Sequence, residues 1–385
     1  MLIPRFYQNL NKYLEPNKVL VIFGPRQVGK TTLIKNFLST TKLKYKLDSG
    51  DNIKTQEVLG SQDFARIKEY TSGYELLVID EAQRIPNVGM GLKIIVDEIP
   101  GIRVITTGSS SFELSGQIGE PLTGRKQTLT LYPVAQLELA LFHNQYELKE
   151  NLGERLIFGN YPRVITSKTK EQKIAVLDEL VNSYLLKDIL ELERVKGSKI
   201  LLDLVRLLAF QVGSEVSLTE IGTKLGIDYK TVARYIDLFE KVFVIFNLRG
   251  YSGNLRNEIT KKSKYYFYDN GIRNAVISNF NDIDLRDDQG KLWENFLVCE
   301  RLKHQEYKKI HANNYFWRTW EKKEVDWIEE REGKLFGYEF KYSKKAGMAG
   351  KTAKVPKEFL DSYKHLNATL EIINPENYLK FVGAE

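Results

Sequence analysis

The sequence has little cysteine and no long apolar run, and each shortage excludes a class of protein. Its single cysteine among 385 residues, Cys299, rules out an intramolecular disulfide and fits a reducing compartment. The apolar neighbours Phe296–Val298 predict that this thiol is buried. The longest apolar runs have about five residues, whereas roughly 18 are needed to span a bilayer. No apolar leader follows the first residues, so we expect a cytoplasmic protein without a membrane partner.

The excess of positive over negative charge is also small, but it is unevenly distributed along the chain. The formal net charge is +7 over 385 residues, and residues 301–364 contain 16 Lys and Arg against 10 Asp and Glu. A polyanion such as DNA would therefore bind most naturally to the C-terminal half.

Strands and helices alternate in the first 150 residues, the pattern of a parallel α/β sheet. Apolar strands are predicted at Val19–Phe23, Leu76–Ile79 and Val104–Thr107, with a helix at Thr31–Phe37. Helical periodicity follows over residues 151–213. Residues 214–270 and 271–385 then form two further units. The predicted fold class is α/β: a parallel-sheet core at 1–150, a helical subdomain at 151–213, and two smaller C-terminal domains.

The most specific motif is Gly24-Pro25-Arg26-Gln27-Val28-Gly29-Lys30-Thr31, which lies between an apolar strand and a helix. At this spacing, backbone N–H groups and the helix N-terminus bind phosphate, Lys30 reaches the β- and γ-phosphates, and Thr31 holds Mg²⁺. The alternative, a purely structural glycine turn, is disfavoured by that strand and helix. The predicted nucleotide-binding residues are Gly24, Pro25, Arg26, Gln27, Val28, Gly29, Lys30, Thr31, Thr32, Asp80 and Ser109.

A second apolar strand ends in Asp80 and Glu81, the Walker B pattern. Asp80 would hold Mg²⁺ through water, and Glu81 would orient and deprotonate the attacking water. The alternative is two solvated acids at a strand end. Thr107 or Ser109, at the end of the third strand, would contact the γ-phosphate or the water, or would only form a tight turn. No guanine-reading Asn-Lys-x-Asp tetrad is present, so ATP is the expected nucleotide.

These segments together resemble the bacterial and archaeal AAA-type ATPases whose C-terminal half is a DUF4143 domain. The resemblance rests on Ile22–Leu33, Ile79–Pro86 and Thr107–Ser110, on Leu122–Arg125 followed by Leu131–Pro133, and on Gly159–Pro162. It implies an AAA+ module in which an arginine from a neighbouring subunit completes hydrolysis. Arg125 is the first candidate and Arg163 the second; a surface or ion-paired arginine is the alternative for both. If Arg125 acts in trans, the protein is a homo-oligomer.

Residues 217–240 predict a helix-turn-helix within a winged helix. Ser217 would cap the first helix, Gly226-Ile227-Asp228 would form the turn, and Lys230 and Arg234 would lie on the exposed face of the second. A basic wing would follow with Arg249, Arg256, Lys261, Lys262 and Lys264. The unit would bind DNA or serve only as a packing or protein-contact module.

The C-terminal segment has the pattern of a PD-(D/E)xK nuclease, a fold that the family resemblance also implies. Asp326 lies on one predicted strand, Glu339 and Lys341 share a face of the next, and Glu294 lies on the preceding helix. Asp326, Glu339 and Glu294 would bind Mg²⁺ or Mn²⁺, and Lys341 would assist in catalysis. The alternative is a non-cleaving domain used for binding. The lysines expected to contact phosphate are Lys344, Lys345, Lys351, Lys354 and Lys357, and the aromatics expected in the core are Trp317, Trp320, Trp327 and Tyr338.

Two functional hypotheses follow. The first is an ATP-driven enzyme that acts on nucleic acid, with catalytic residues Glu81 and Arg125 at the ATPase site and Asp326, Glu339 and Lys341 at the nuclease-like site. The second is a regulatory ATPase switch whose C-terminal domains bind protein or DNA without cleaving it.

Overall fold

A computed structural model describes residues 3–108, 119, 121–185, 198–252, 263–319, 321–342 and 357–385. Contacts divide the chain into two units. The N-terminal unit contains Pro4–Pro133 and Lys241–Phe243, and the C-terminal unit contains Val134–Glu240 and Val244–Glu385.

The N-terminal unit is built on a parallel sheet in which the strand order is β2-β3-β4-β1-β5. Its strands are β1 (Lys18–Phe23), β2 (Tyr45–Ser49), β3 (Leu76–Asp80), β4 (Arg103–Gly108) and β5 (Lys126–Thr130). The central strands are apolar because helices cover both faces of a parallel sheet. The expected parallel α/β core is confirmed. Edge strands β2 and β5 were not predicted, because their sequences are polar and mixed.

The described part of this unit contains the helices α1 (Lys30–Leu38), α2 (Ile53–Gly60), α3 (Phe64–Thr71) and α4 (Val88–Glu98). Short 3-10 turns lie at Leu10–Tyr13 and Ala82–Arg84. The core between sheet and helices contains Val21, Leu77, Ile79, Leu92 and Val104, each fully buried. Burial of apolar area stabilises a fold by roughly 25 cal/mol per Å², so this packing stabilises the sheet whose strand ends form the site.

The C-terminal unit contains a mixed sheet in the order β12-β11-β10-β9-β7-β8-β6. Its strands are β6 (Glu215–Val216), β7 (Ile245–Gly250), β8 (Ser263–Phe267), β9 (Asn313–Arg318), β10 (Glu324–Arg331), β11 (Lys334–Phe340) and β12 (Thr369–Ile373). Strands β7 and β9 pair in parallel at Arg249 with Tyr315 and at Gly250 with Phe316. The sheet is therefore continuous from the expected winged helix into the expected nuclease-like domain, without a break at residue 270.

The helices of this unit lie mostly before and between its strands. They are α5 (Gln136–Leu139), α6 (Gln145–Glu150), α7 (Leu152–Phe158), α8 (Pro162–Thr166), α9 (Lys170–Glu179), α10 (Ser198–Phe210), α11 (Leu218–Leu225), α12 (Tyr229–Lys241), α13 (Asn270–Val276), α14 (Gln289–Lys308), α15 (Lys357–Ser362) and α16 (Tyr378–Phe381). A π-helical turn at Leu180–Leu185 follows α9, and 3-10 turns lie at Ile283–Leu285 and Lys364–Leu366. No helix in the described ranges is long and apolar enough to span a bilayer.

The helix pair α11–α12 forms as its capping residues predict. Ser217 Oγ accepts from Glu220 N, Gly226 ends α11 at φ 69°, and Asp228 Oδ1 accepts from Lys230 N. Together with α10 and strands β6, β7 and β8, these helices follow one another in the order helix, strand, helix, helix, strand, strand.

Other local expectations are met in this unit. Cys299 is buried, and its thiol donates to the Phe267 carbonyl at 2.6 Å. Trp317, Trp327 and Tyr338 are buried as core aromatics. Several residues named from the sequence lie outside the described ranges: Arg256, Lys261, Lys262, Trp320, Lys344, Lys345, Lys351 and Lys354.

Candidate functional site

The loop between β1 and α1 has the backbone geometry that its glycines predict. Gly24 has φ 146° and Gly29 has φ 98°, both in the range that favours glycine. A Cβ atom at Gly24 would lie 2.0 Å from the Leu131 carbonyl oxygen. Glycine at position 24 therefore allows the loop to approach the end of β5, and Gly29 begins α1 in a left-handed conformation.

Lys30 lies inside this loop and is only 5% exposed. Its ammonium donates to the carbonyl oxygens of Gly24 at 2.7 Å and Pro25 at 2.8 Å. The charge is thus held within the curve of the backbone, where a phosphate bound by the loop would lie beside it. Thr31 and Thr32, the next two residues, are exposed at the start of α1.

Three side chains from three elements are joined by hydrogen bonds at the carboxyl edge of the sheet. Thr31 Oγ1 donates to Asp80 Oδ2 at 2.8 Å, and Thr107 Oγ1 donates to Asp80 Oδ1. Thr107 Oγ1 also accepts from the backbone N–H of Glu81 at 3.0 Å. The strand order causes this meeting, because β4 lies between β1 and β3. Ser109, the other residue considered at this strand end, is outside the described residues.

Glu81 leaves β3 in a left-handed conformation, with φ 52° and ψ 43°. Its carboxylate accepts from Gln83 Nε2 at 2.5 Å. Glycine at position 50 allows the close approach of this turn, because a Cβ there would lie 2.2 Å from the Glu81 carbonyl oxygen. A left-handed non-glycine residue costs about 1–2 kcal/mol, and such strain is common at functional sites.

These residues fit a nucleotide with Mg²⁺. Mg²⁺ is usually bound by one or two carboxylates, a hydroxyl and phosphate oxygens, which Thr31 and Asp80 can complete around a triphosphate. The carboxylate of Asp80 is already aligned by two hydroxyl donors, so little reorganisation would be required.

Arg5 also contributes to this loop, although no motif in the sequence indicated it. The guanidinium donates to the carbonyl oxygens of Val28 and, at 2.6 Å, of Tyr132. Arg5 therefore links the phosphate-binding loop to the segment after β5. Such a contact depends on tertiary structure, and a single arginine in a polar N-terminal segment does not predict it.

Arg125 lies at the edge of the sheet opposite the phosphate-binding loop. Its carbonyl accepts from Val19 N, at the start of β1, whereas the loop begins after Phe23. Four strand residues separate these ends, roughly 13 Å at ~3.3 Å per residue. The Arg125 side chain is 40% exposed and its Nε is 2.6 Å from Asp97 Oδ1. Arg163, in the other unit, pairs with Glu179 at 2.9 Å.

The predicted nuclease-like residues lie on the expected elements of the C-terminal unit. Asp326 is on β10, Glu339 is on β11, and Glu294 is on α14. Asp326 Oδ2 accepts from Phe340 N at 2.7 Å, and Lys341 Nζ is 2.5 Å from Glu339 Oε1. Burial raises the pKa of Asp326 well above its usual range, and the charges of Glu294 and Glu339 add to this effect.

Lys264 does not have the exposed position expected of a wing residue. It is 1% exposed, its ammonium lies 3.3 Å from Glu294 Oε1, and it also contacts Glu324. Burial lowers the pKa of Lys264, but the charges of Glu294 and Glu324 outweigh this effect and raise it. Sequence reasoning missed Glu324 and placed Lys264 on the surface. The position of Lys264 at the start of an aromatic strand was the one feature of the sequence that could have indicated its burial.

The carboxylates of this cluster do not fit the divalent metal that the nuclease pattern implies. Lys264 contacts Glu294 and Glu324, and Lys341 contacts Glu339. Within the residues that the structure describes, no three His, Cys, Asp or Glu side chains are grouped to hold a metal ion. Glu339 Oε2 is buried without a hydrogen-bond partner in the described part of the chain, but one oxygen is not a ligand set.

Comparison with protein families divides the chain into three matched segments. Residues 16–140 match a family described as an AAA domain, AAA_14. Residues 149–283 match DUF8612 and residues 289–379 match DUF4143, both described as domains of unknown function. The first and third matches confirm the resemblance stated from the motifs.

The individual relatives have low sequence identity to this chain. An uncharacterized protein of Mycobacterium tuberculosis is 27% identical over 343 residues, which is 86% of this chain and 72% of the relative. An uncharacterized protein of Methanocaldococcus jannaschii is 24% identical over 337 residues, 82% of this chain and 73% of the relative. Among solved structures, the Walker-type ATPase of Pyrococcus abyssi is similar with a TM-score of 0.46 and 14% identity, covering 67% of this chain and 91% of that chain.

Proposed function

We propose that this chain, an AAA-type P-loop protein with a C-terminal DUF4143 domain, hydrolyses ATP with Mg²⁺ at the loop Gly24–Thr31. The observation that carries the proposal is the hydrogen-bonded set of Thr31, Asp80 and Thr107 beside Glu81. A strand end that served only as a turn would not need a carboxylate aligned by two hydroxyls from different elements.

Each residue has a role that follows from its chemistry. Lys30 transfers its hydrogen bonds from the loop carbonyls to the β- and γ-phosphates. Thr31 and Asp80 hold the metal, which when bound neutralises phosphate charge. Glu81 accepts the proton of the attacking water, and Thr107 keeps Asp80 and the Glu81 backbone in position. Gln83 orients the Glu81 carboxylate through its amide.

Arg125 is proposed to act on the nucleotide of a neighbouring subunit. Its position at the opposite edge of the sheet removes it from its own loop, and its ion pair with Asp97 is half-exposed and so exchangeable. A guanidinium supplied in trans stabilises the charge that develops on the transferred phosphoryl group. Homo-oligomerisation follows from this role.

Nucleic acid is the proposed partner of the C-terminal half. Tyr229, Lys230 and Arg234 lie on the exposed face of α12, the second helix of the pair, while Val232 and Ile236 are buried. The N-terminal residues of such a helix are those that contact DNA in helix-turn-helix proteins. The element order around α11 and α12 is consistent with a winged helix.

Between cleavage and binding alone, we favour binding. Asp326, Glu339 and Lys341 have the spacing of a nuclease, which makes cleavage the second candidate. The ammonium of Lys264 against Glu294 and Glu324 is the observation that counts against it. The proposed protein is thus an ATPase whose nucleotide cycle controls what its C-terminal domains hold.

The ATPase proposal is tested with two variants of the full chain. Lys30→Ala should lose binding of a fluorescent ATP analogue, whereas Glu81→Gln should retain binding and lose phosphate release. Wild-type turnover by Lys30→Ala would refute the assignment of the loop.

Arg125→Ala should bind nucleotide normally but turn it over slowly. Mixing it with Lys30→Ala should restore activity if the arginine acts between subunits, and no restoration at any ratio would exclude that role.

A further inference from the structure

The carboxylates expected to bind a metal instead surround a buried lysine. Lys264 extends from β8, and its ammonium lies 3.3 Å from Glu294 Oε1 while also contacting Glu324 Oε1. Tyr266 follows two residues later on the same strand, so the two side chains share a face of the sheet. The Tyr266 hydroxyl donates to the same Glu294 oxygen at 2.6 Å. Glu294 thus has two donors from β8 on one of its oxygen atoms.

Lys264 is almost fully buried and lies beside an aromatic ring. The side chain is 1% exposed, and its ammonium lies 5.1 Å from the centre of the Phe316 ring, an additional favourable contact for a cation. Glu324 is also paired with Arg318 at 3.6 Å. A buried ammonium with satisfied partners is a permanent part of the fold, because removing one partner would leave an uncompensated charge.

A divalent cation and this ammonium would compete for the same oxygens. Glu294 is the helix carboxylate of the nuclease-like pattern, and it is already bound by Lys264 and Tyr266. Glu339 is bound by Lys341, and Asp326 accepts a backbone N–H. A metal placed here would meet the buried ammonium of Lys264 in a site of low dielectric, where like charges repel strongly.

We propose that Lys264 is the resident cation of this cluster, so that the domain uses an ammonium where a metal-dependent nuclease uses a divalent ion. The cluster then joins β8, β10 and α14 instead of cleaving phosphodiesters. This inference deepens the binding-only function proposed above. It predicts that the cluster binds no Mg²⁺ or Mn²⁺, and that removing the ammonium creates a metal site.

The first test uses Mn²⁺ as the probe on the nucleotide-free full chain. The background variant Asp80→Asn removes the proposed metal ligand at the end of β3, beside the phosphate-binding loop, and bound Mn²⁺ is measured by electron paramagnetic resonance. We expect the same weak titration with and without Asp326→Asn. One Mn²⁺ per chain that disappears in Asp326→Asn would overturn the proposal, and this result does not depend on the folding of any Lys264 variant.

The second test uses Lys264→Met, which keeps most of the aliphatic stem and removes the charge. In EDTA this variant should melt below wild type, and Mn²⁺ should raise its Tm and bind once per chain. Lys341→Met is the matched control, since its side chain is 44% exposed and its ammonium lies 2.5 Å from the motif carboxylate Glu339. We expect no Mn²⁺-dependent rise in that control.

A folded Lys264→Met protein that gains no Mn²⁺ response would contradict the assignment, as would an equal response in Lys341→Met. Gel-shift assays on DNA with the same preparations report separately on the proposed binding function. If the wild-type chain binds no DNA while the Mn²⁺ experiments give the expected results, the binding function alone is refuted. If the wild-type chain binds DNA and also binds Mn²⁺ at this cluster, the Lys264 proposal alone is refuted.

Discussion

Thr107→Val should slow ATP hydrolysis while leaving nucleotide binding nearly unchanged. Thr107 is fully buried, donates to Asp80 and accepts from Glu81 N. Valine has the same shape but neither function. A hydrogen bond to a charged group contributes about 1.5–3 kcal/mol. At about 1.36 kcal/mol per tenfold change in rate, full expression in the transition state lowers kcat by about 10- to 160-fold.

The adjacent residue provides a matched control. Thr106 is equally buried on the opposite face of β4, and its hydroxyl has no hydrogen-bond partner within the described residues. Thr106→Val should therefore leave kcat unchanged and should not lower the free energy of unfolding. Phosphate release, binding of a fluorescent ATP analogue and Tm are measured for both variants. An unchanged kcat in Thr107→Val, or an equal loss in Thr106→Val, would refute the role given to Thr107.

Two predictions concern stability in the C-terminal unit. Gly159→Ala should lower Tm by several degrees, because Gly159 has φ 71° and its Cβ would lie 1.9 Å from Asp269 Oδ1. Gly290→Ala, in open space on α14, should leave Tm unchanged or raise it. Equal Tm changes in the two variants would contradict this account. The pKa of His304 is lowered to about 4 by burial and by the charges of Arg301 and Lys308, so the unfolded chain binds the proton more readily. Stability from this group should be lost as the pH falls from about 6.5 towards 4, and His304→Gln should flatten urea-denaturation midpoints over that range; a midpoint profile identical to wild type would exclude His304 as a cause.

The surroundings of Gly159 also give a structural reason for the motif Gly159–Pro162. The segment Gly159–Pro162 was recognised only as an element of the resemblance. In the structure, Asp269 accepts from Asn160 N at 2.7 Å, and Asn160 Nδ2 donates to Glu300. Burial raises the pKa of Asp269 to about 6, although Lys303 and three backbone N–H groups oppose this effect. The motif is therefore a packing site around a buried carboxylate, formed between segments more than 100 residues apart in the chain.

The sequence by itself determined the phosphate-binding loop, the acidic strand end, the helix pair α11–α12 and the burial of Cys299. Each depends on spacing within a few residues: glycines that permit a left-handed backbone, an apolar run with a polar end, a capping side chain. Local spacing fixes local conformation, and conformation at that scale limits which ligand a loop can bind.

The tertiary structure decided which of these residues meet. The position of β4 between β1 and β3 brings Thr107 to Asp80, and the start of β5 places Arg125 at the far edge of the sheet. Lys264, which the sequence pattern assigns to a basic wing, is buried because β8 lies inside a continuous sheet. Such outcomes depend on strand order and on contacts distant in sequence, which hydrophobic periodicity does not encode.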